Sequence, residues 1–397
     1  MFSVTGMEAE HMRGKFDAQR AMFFAINLEE RGRADHPLRP IKRAVDAILA
    51  NMAGLLEGAY STTGRPSVPP ERLLKALLLQ CLYSVRSEAQ LIERLDTDLL
   101  FRWFCDMDPA EPVFDATAFT HNRPRLESGA LITTFFEQVV ARAIRAGLTS
   151  DEHFSVDGTL IESYASLKSF KPIESTPPED RDSPQGGDGN GFQPRNVEVD
   201  FHGQKRSNAT HRSTTDGEAR LYRKSDGQPA RLYHMGHALT ENRHGLVMAV
   251  AVSEANGRAE PTTACELLDD LRQRHAVAAR TVGADRGYDC GAHLLELEKR
   301  GVTPHVAMLK TARDPTTLRH RQWPAYRARV RMRKRLGDAA YAVSQRCRKK
   351  VEECFGWLKT VAGLARTRLV GRWKISQQMH LAAAAFNLVR MRSLLNA

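Results

Sequence analysis

Several familiar signatures are missing from this 397-residue chain. It has no Cys-x-x-Cys pair and no His/Cys zinc spacing. Its six cysteines (Cys81, Cys105, Cys265, Cys290, Cys347 and Cys354) are scattered. They read as reduced core thiols of a cytosolic protein rather than a disulfide framework or zinc site. His-Glu-x-x-His is absent, and so is the Gly-x-x-x-x-Gly-Lys phosphate loop, which disfavours a zinc hydrolase and a P-loop ATPase. The longest apolar runs, such as 76–79 and 246–252, fall far short of the ~18 residues that span a bilayer. The first residues include Glu8, Glu10, Arg13 and Lys15, unlike a signal peptide. The expectation is a soluble cytoplasmic protein with no membrane partner.

Acid is scarce in one place. Between Thr316 and Lys350 there are twelve Lys/Arg and one acid, Asp338, a local excess equal to the chain's whole net charge of +11. An evenly basic protein would not look like this. The concentration favours contact with a polyanion, nucleic acid before membrane, over a merely solvated loop. Arg327, Arg329, Arg331 and Arg333 are the candidate DNA contacts here. Trp323 and Tyr326 lie in the same stretch and suit either base stacking or packing.

Residues 1–38 lack clear periodicity and read as a partly flexible arm. From 39 to 148 the pattern is helical. Pro69-Pro70 opens a helix, because the N–H that Pro lacks has no intrahelical partner in the first turn. Leu73, Leu74, Leu77, Leu78, Cys81 and Leu82 follow at helical spacing. Ser87 caps a second helix, with Gln90 as its capping-box partner. A third is expected at 130–146, stopped by Gly147. The pair joined by Ser84-Val85-Arg86 fits a DNA-binding helix-turn-helix or an ordinary bundle.

At Ser150 the period changes. Strands are expected at 153–156 and 159–165, paired with each other. Residues 171–200 form a Pro/Gly-rich loop. Strands at 231–239, 246–253, 280–284 and 305–309 alternate with helices at 262–275 and 291–300. A long helix at about 340–364 and a last one at about 375–394 complete an α+β or α/β second half, 149–397.

Three acids stand out by their settings. Asp157 is expected at a strand end in Phe154-Ser155-Val156-Asp157-Gly158, and Asp285 at another in Val282-Gly283-Ala284-Asp285-Arg286-Gly287. Such positions hold a carboxylate on a rigid element and leave its oxygens accessible. The third acid is Glu352 or Glu353, and helix phase decides between them. Phe355, Leu358 and Ala362 fall within about 40° of Val351 and define a core face. Glu352 lies about 100° away on its flank, with Arg348 at about 60° and Lys359 at about 80°, whereas Glu353 at about 200° points to solvent. Glu352 is therefore the candidate. Three gathered acids repel one another unless cations lie between them. Two Mg²⁺ ions, with Mn²⁺ as a substitute, suit oxygen ligands and can serve an in-line phosphoryl displacement. Arg348 and Lys359 would position phosphates or offset the acids. Asp289 and Glu162 are candidate supporting acids, and Arg243 and His244 lie either near the site or in a structural turn at 242–245.

These residues resemble bacterial insertion-sequence transposases of the DDE type, specifically the insertion sequence five family, from about residue 40 onward. Asp157-Gly158-Thr159 with Ala165–Phe170 (including Lys168, a further candidate DNA contact) resembles the first-aspartate segment. Thr210–Ser213 with Asp216 and Ala219–Leu221, then Gly236–Leu239 with Glu241–Leu246, resemble two further blocks. Gly283–Asp289 resembles the second-aspartate region. Arg348, Glu352 and Lys359 fit the third region's spacing, although Gln345 stands where the family often has Tyr; Tyr341 is one turn earlier. The resemblance implies an RNase H-like catalytic core, a mixed sheet flanked by helices, behind a helical N-terminal DNA-binding domain. It also implies metal-dependent cleavage at terminal inverted repeats and strand transfer into target DNA, by a homodimer or larger assembly in the bacterial nucleoid. An RNase H-like nuclease or resolvase and a transposase-derived repressor are the rival readings.

Overall fold

The computed structural model describes residues 27–60, 67–128, 130–173, 199–201, 204–224, 227–256, 259–309 and 318–395. Most of the expected arm and of the 171–200 loop lies outside them.

Eight helices come first among the described residues: α1 (Leu28–Arg31), α2 (Leu38–Asn51), α3 (Ala53–Gly58), α4 (Pro70–Leu82), α5 (Glu88–Thr97), α6 (Leu99–Phe104), α7 (Thr117–Ser128) and α8 (Leu131–Arg145). Local chemistry accounts for their ends. Pro70 opens α4. Ser87 Oγ accepts a hydrogen bond from Gln90 N at 3.2 Å. Gln90 Oε1 accepts from Arg86 N rather than from the cap residue, so the capping box closes one residue early. Gly147, at φ +68°, stops the chain after α8, a backbone conformation that glycine adopts without steric cost.

The second half runs β1 (His153–Glu162), β2 (Phe170–Pro172), β3 (Val199–Phe201), β4 (Gln204–Arg206), β5 (His211–Ser213), β6 (Arg220–Tyr222), β7 (Arg231–Glu241), β8 (Val247–Glu254), α9 (Ala259–His275), β9 (Thr281–Ala284), α10 (Gly291–Lys299), β10 (Thr303–Val306), α11 (Trp323–Lys334), α12 (Ala339–Cys347), α13 (Lys349–Thr360) and α14 (Arg372–Leu395). Two expectations need correction. The strands expected at 153–156 and 159–165 are one ten-residue strand, because β7 pairs with it from Phe154 through Glu162 without a turn. The single long helix expected at 340–364 is two, α12 and α13, parted at Arg348. The Arg-rich stretch is itself largely helical, as α11.

The main sheet has the order β10-β9-β1-β7, with β8 and β6 both pairing with β7. β9 and β10 lie parallel in sequence beside β1, while β7 is antiparallel to it. The β1–β9 pairing covers only His153–Ser155, so beyond Ser155 this edge of β1 is free of β9. The two faces are covered by different helices. Gly283 and Gly236 leave room for Ser344 of α12 and Met379 of α14, while Gly158 leaves room for Glu260 of α9. Side chains alternate along a strand, so Asp157 projects to the face opposite Gly158.

One hydrophobic core runs from Leu38 in α2 to Met391 in α14. Ala382, Ala383, Ala384 and Ala385 make the middle of α14 slim enough to be buried, and the helix packs against α2, α4, α8, α13 and β8. The N-terminal helices therefore share their core with the sheet across residue 148. Where β8 carries the extra residue Met248, Asn387 serves as a local strand substitute. Its side chain donates to Val247 O at 2.7 Å and accepts from Val247 N at 2.9 Å.

Candidate active site

Asp157 lies within β1, opposite Ala238 of β7, not at a strand end as expected. It is nonetheless accessible at the edge that β9 leaves free. Its Oδ1 accepts a hydrogen bond from Gly158 N at 2.9 Å. Burial pushes its carboxyl up to about 6; the Gly158 N–H and the Arg348 charge oppose the shift, and the charges of Asp285 and Glu352 add to it.

Asp285 directly follows β9 and caps a single 3-10 turn, Arg286–Tyr288, its Oδ1 accepting from Gly287 N at 2.7 Å. Because β9 is parallel to β1 and pairs with it as far as Ser155 and Gly283, each aspartate follows two residues beyond the point where that pairing ends. Behind Asp285, Gln345 of α12 donates Nε2 to the carbonyl of His305, with the Ala284 carbonyl 3.5 Å away. Gln345 therefore ties α12 to the ends of β9 and β10. Tyr341 packs edge-on against His305.

Glu352 stands in the first turn of α13 and pairs with Arg348 at 3.1 Å. The same guanidinium lies 3.7 Å from Asp157 Oδ2. Glu353 has no part in this group. Val351, Cys354, Phe355 and Leu358 form the buried side of α13. Lys350, two residues before Glu352, donates to the carbonyls of Asn242 and Arg243, while Ser155 Oγ donates to Asn242 Oδ1 at 2.9 Å. The β7–β8 turn at 242–245 thereby pins α13 beside β1. Glu241, fully buried, accepts from the backbone N–H groups of Ser150, His244 and Gly245.

Among the described residues, no three His, Cys, Asp or Glu side chains stand close enough together to hold a metal ion. Arg348 fills the space between Asp157 and Glu352. Lys359 lies two turns further along α13, its pKa lowered by burial and by the charge of Lys224, and no ion pair among the described residues joins it to the three acids.

The other candidates separate. Lys168 and Arg243 are exposed, and so is Arg327, which lies over the Trp323 ring. Arg329 is turned inward: it donates to both oxygens of Asp289, at 2.7 and 2.6 Å. Asp289 also accepts from Leu309 N, so it braces α11 rather than facing the acids. Arg331 pairs with Glu298 of α10, and Arg333 donates weakly to the Leu309 carbonyl. Glu162 pairs with Arg231 at 2.8 Å, at the far end of β1. Asp216, in one of the blocks above, is a buried tie that accepts from Ser163 and meets His234 Nε2 at 2.8 Å. Trp323 and Tyr326 pack edge to face with each other. Glu260 went unnoticed in the sequence: it lies over Gly158 and Gly287, and nothing about a glutamate before Pro261 announces that approach.

Comparison with known proteins places this arrangement. A transposase domain (DUF772) matches residues 26–125, and a transposase DDE domain matches residues 199–388. Asp285 and Glu352 fall in the second segment; Asp157 lies between the two. No curated protein matches the chain. Among solved structures, the Mos1 transposase paired-end complex with left transposon end is 12% identical, over 72% of this chain and 82% of that one, with a TM-score of 0.19; so loose a likeness carries no weight for the fold. Two matched transposase segments, together covering most of the helical half and most of the sheet-bearing half, make the chain a DDE-type transposase, an enzyme that cuts DNA and joins strands.

Proposed function

We propose that the chain cuts DNA at the terminal inverted repeats of a mobile element and transfers the freed ends into target DNA, with Asp157, Asp285 and Glu352 as its metal-binding acids. One observation carries this reading: the Arg348 guanidinium lies 3.1 Å from Glu352 and 3.7 Å from Asp157 Oδ2, so the helix that carries the third acid is docked beside the strand that carries the first. A cation held between carboxylates offsets their repulsion, as that guanidinium does here. The donors are all carboxylate oxygens, which suits Mg²⁺, with Mn²⁺ as a substitute. When bound, two such ions supply an activated attacking oxygen and a stabilised leaving oxygen.

The chain's own residues do the rest. The paired strands β1 and β9 fix the two aspartates relative to each other. Glu352 closes on them from α13 when its pair with Arg348 opens, and Arg348 is then free to meet a phosphate. Gln345 steadies the β9 end, and Lys359 lies along the same helix for DNA that follows it. The mixed sheet with antiparallel β1, β7 and β8 and parallel β9 and β10 supports an RNase H-like core. The spacing of Arg348, Glu352 and Lys359 supports membership of the insertion sequence five family. The helical half supplies contacts to the inverted repeats, and exposed Lys168, Arg243 and Arg327, with half-buried Arg333, track the phosphates. An oligomer assembled on DNA holds the two ends together.

The test is cleavage and strand transfer on inverted-repeat DNA with Mg²⁺. Asp157→Ala, Asp285→Ala and Glu352→Ala should each lose on the order of 10³-fold or more in rate and keep end binding. Full strand transfer by Glu352→Ala would refute the assignment. Cleavage without joining of pre-cut ends by the wild type would make it a nuclease instead.

A further inference from the structure

The segment between α13 and α14 leads away from the acids. α13 starts beside Asp157, where Arg348 lies 3.7 Å from the carboxylate. It ends near Glu162: Glu162 N donates to Ala365 O at 3.1 Å, and Thr367 N donates to Glu162 O at 3.0 Å. The helix therefore runs beside β1 in the strand's own direction. At about 3.3 Å per residue, Glu162 lies roughly 17 Å along the strand from Asp157.

From Cys354 to Ala397 the chain holds seven Lys or Arg and no acid. Four of them, Arg366, Arg368, Arg372 and Lys374, are exposed on this segment and in the first residues of α14. The acids that touch it are already matched. Glu162 pairs with Arg231 and Arg366, and Glu218 pairs with Arg372 at 3.4 Å while accepting from its backbone N–H at 2.7 Å. Thr367 Oγ1 donates to Gln378 Oε1 at 2.9 Å. The segment is thus held in place, yet the side chains of Arg368 and Lys374 have no hydrogen-bond or ion-pair partner among the described residues.

Trp373 is the second observation. It stands between Arg372 and Lys374 with 54% of its surface exposed. Tryptophan is mostly buried in folded chains, and it is enriched where an apolar body with a polar edge meets a partner.

We propose that this segment is a DNA-contacting surface of the catalytic half: Arg368 and Lys374 bind phosphates of the duplex that leads away from the acids past Lys359, and Trp373 covers the sugar edge between them. Cations with free N–H groups suit phosphate oxygens, and a segment already held loses little freedom on binding. Successive phosphates of one strand lie about 3.4 Å apart along the duplex axis, so a contact roughly 17 Å from Asp157 falls about five nucleotides from the cut. The proposal rests on the reading above, that the acids take the phosphate to be cut.

Anisotropy titrations and hydroxyl-radical footprints of the full chain on inverted-repeat DNA test it. Arg368→Ala and Lys374→Ala should each lower the salt slope (the fall of log affinity with log salt) by about 1. The double variant should lose backbone protection about five nucleotides from the cut. Trp373→Ala should weaken binding on the order of fivefold. Arg272→Ala, which removes an exposed charge from α9 on the other sheet face, should change neither slope nor footprint. The two charge variants remove side chains without internal partners, so they carry the test should Trp373→Ala melt early. An unchanged slope and footprint in the double variant overturn the proposal, and Mg²⁺-dependent cleavage that is lost in Asp157→Ala then leaves the reading above standing. Cleavage that persists in Asp157→Ala overturns that reading and, with it, the predicted position. An equal fall in slope for Arg272→Ala would show diffuse attraction and overturn the proposal. Altered self-association of Trp373→Ala with unchanged DNA affinity would assign the surface to a second copy of the chain and overturn it too.

Discussion

Arg348 and Glu352 form an ion pair at 3.1 Å across one turn of helix, and the guanidinium also lies 3.7 Å from Asp157. One cation thus spans two of the three acids. It offsets their repulsion when no metal does so, which assigns Arg348 a stabilising role in the resting protein. Arg348→Ala should lower the melting temperature of metal-free protein by about 1 °C. Added Mg²⁺ should narrow the gap. A gap of the same size with and without Mg²⁺, read by calorimetry, would contradict this role.

Asp157 makes the resting site pH-sensitive. Its carboxyl is raised from 3.8 to about 6 in the folded chain, chiefly by burial. The folded state therefore holds the proton more tightly than the unfolded state. This contribution is fully present below pH 3.8 and is lost as pH rises through about 6. Asp157→Asn abolishes that loss, and at pH 8 without metal it should be more stable than wild type by on the order of 2 kcal/mol. The advantage should shrink towards pH 4. Urea melts at the two pH values measure it, and a constant difference would argue that Asp157 ionises freely.

Asp289 is fully buried and Arg329 is 19% exposed along the side chain, joined by two hydrogen bonds. Removing one partner leaves a buried charge alone. Asp289→Ala should cost about 3–5 kcal/mol in denaturant melts. Arg329→Ala should destabilise too, and its effect on DNA affinity should follow from that loss. Normal stability with weakened DNA binding in Arg329→Ala would return this residue to the DNA-contacting set.

Arg327, by contrast, is exposed against Trp323. If it meets a phosphate, Arg327→Ala should weaken DNA binding uniformly across sequences and lower the salt slope, the fall of log K with log salt, by about 1. Stability should stay within about 0.5 kcal/mol of wild type. An unchanged slope in filter-binding or anisotropy titrations would exclude the contact.

Local signals in the chain carried much of the architecture. Pro70, Ser87 and Gly147 mark helix ends through backbone chemistry that acts within a few residues. The phase of Val351, Phe355 and Leu358 put Glu352 on the flank of a core face, and α13 buries those three residues. Other features were not legible. Gly158 after Asp157 looked like a turn, yet the chain continues as strand because β7 supplies nine partners along it. Nothing local reveals a distant strand. The four central arginines of α11 look alike in sequence; Asp289 draws Arg329 inward, Glu298 pairs with Arg331 at the surface, and Arg327 stays out.

By itself the sequence determined where several helices start and stop, and which acids stand beside glycines or on a helix flank, because these depend on neighbours one to four residues away. Only the tertiary structure decided that Arg348 lies between Asp157 and Glu352, that α14 joins both halves in one core, and that Glu260 enters between two glycines 129 residues apart. Those relations depend on how the sheet pairs and which helix covers each face, and chain spacing does not encode them.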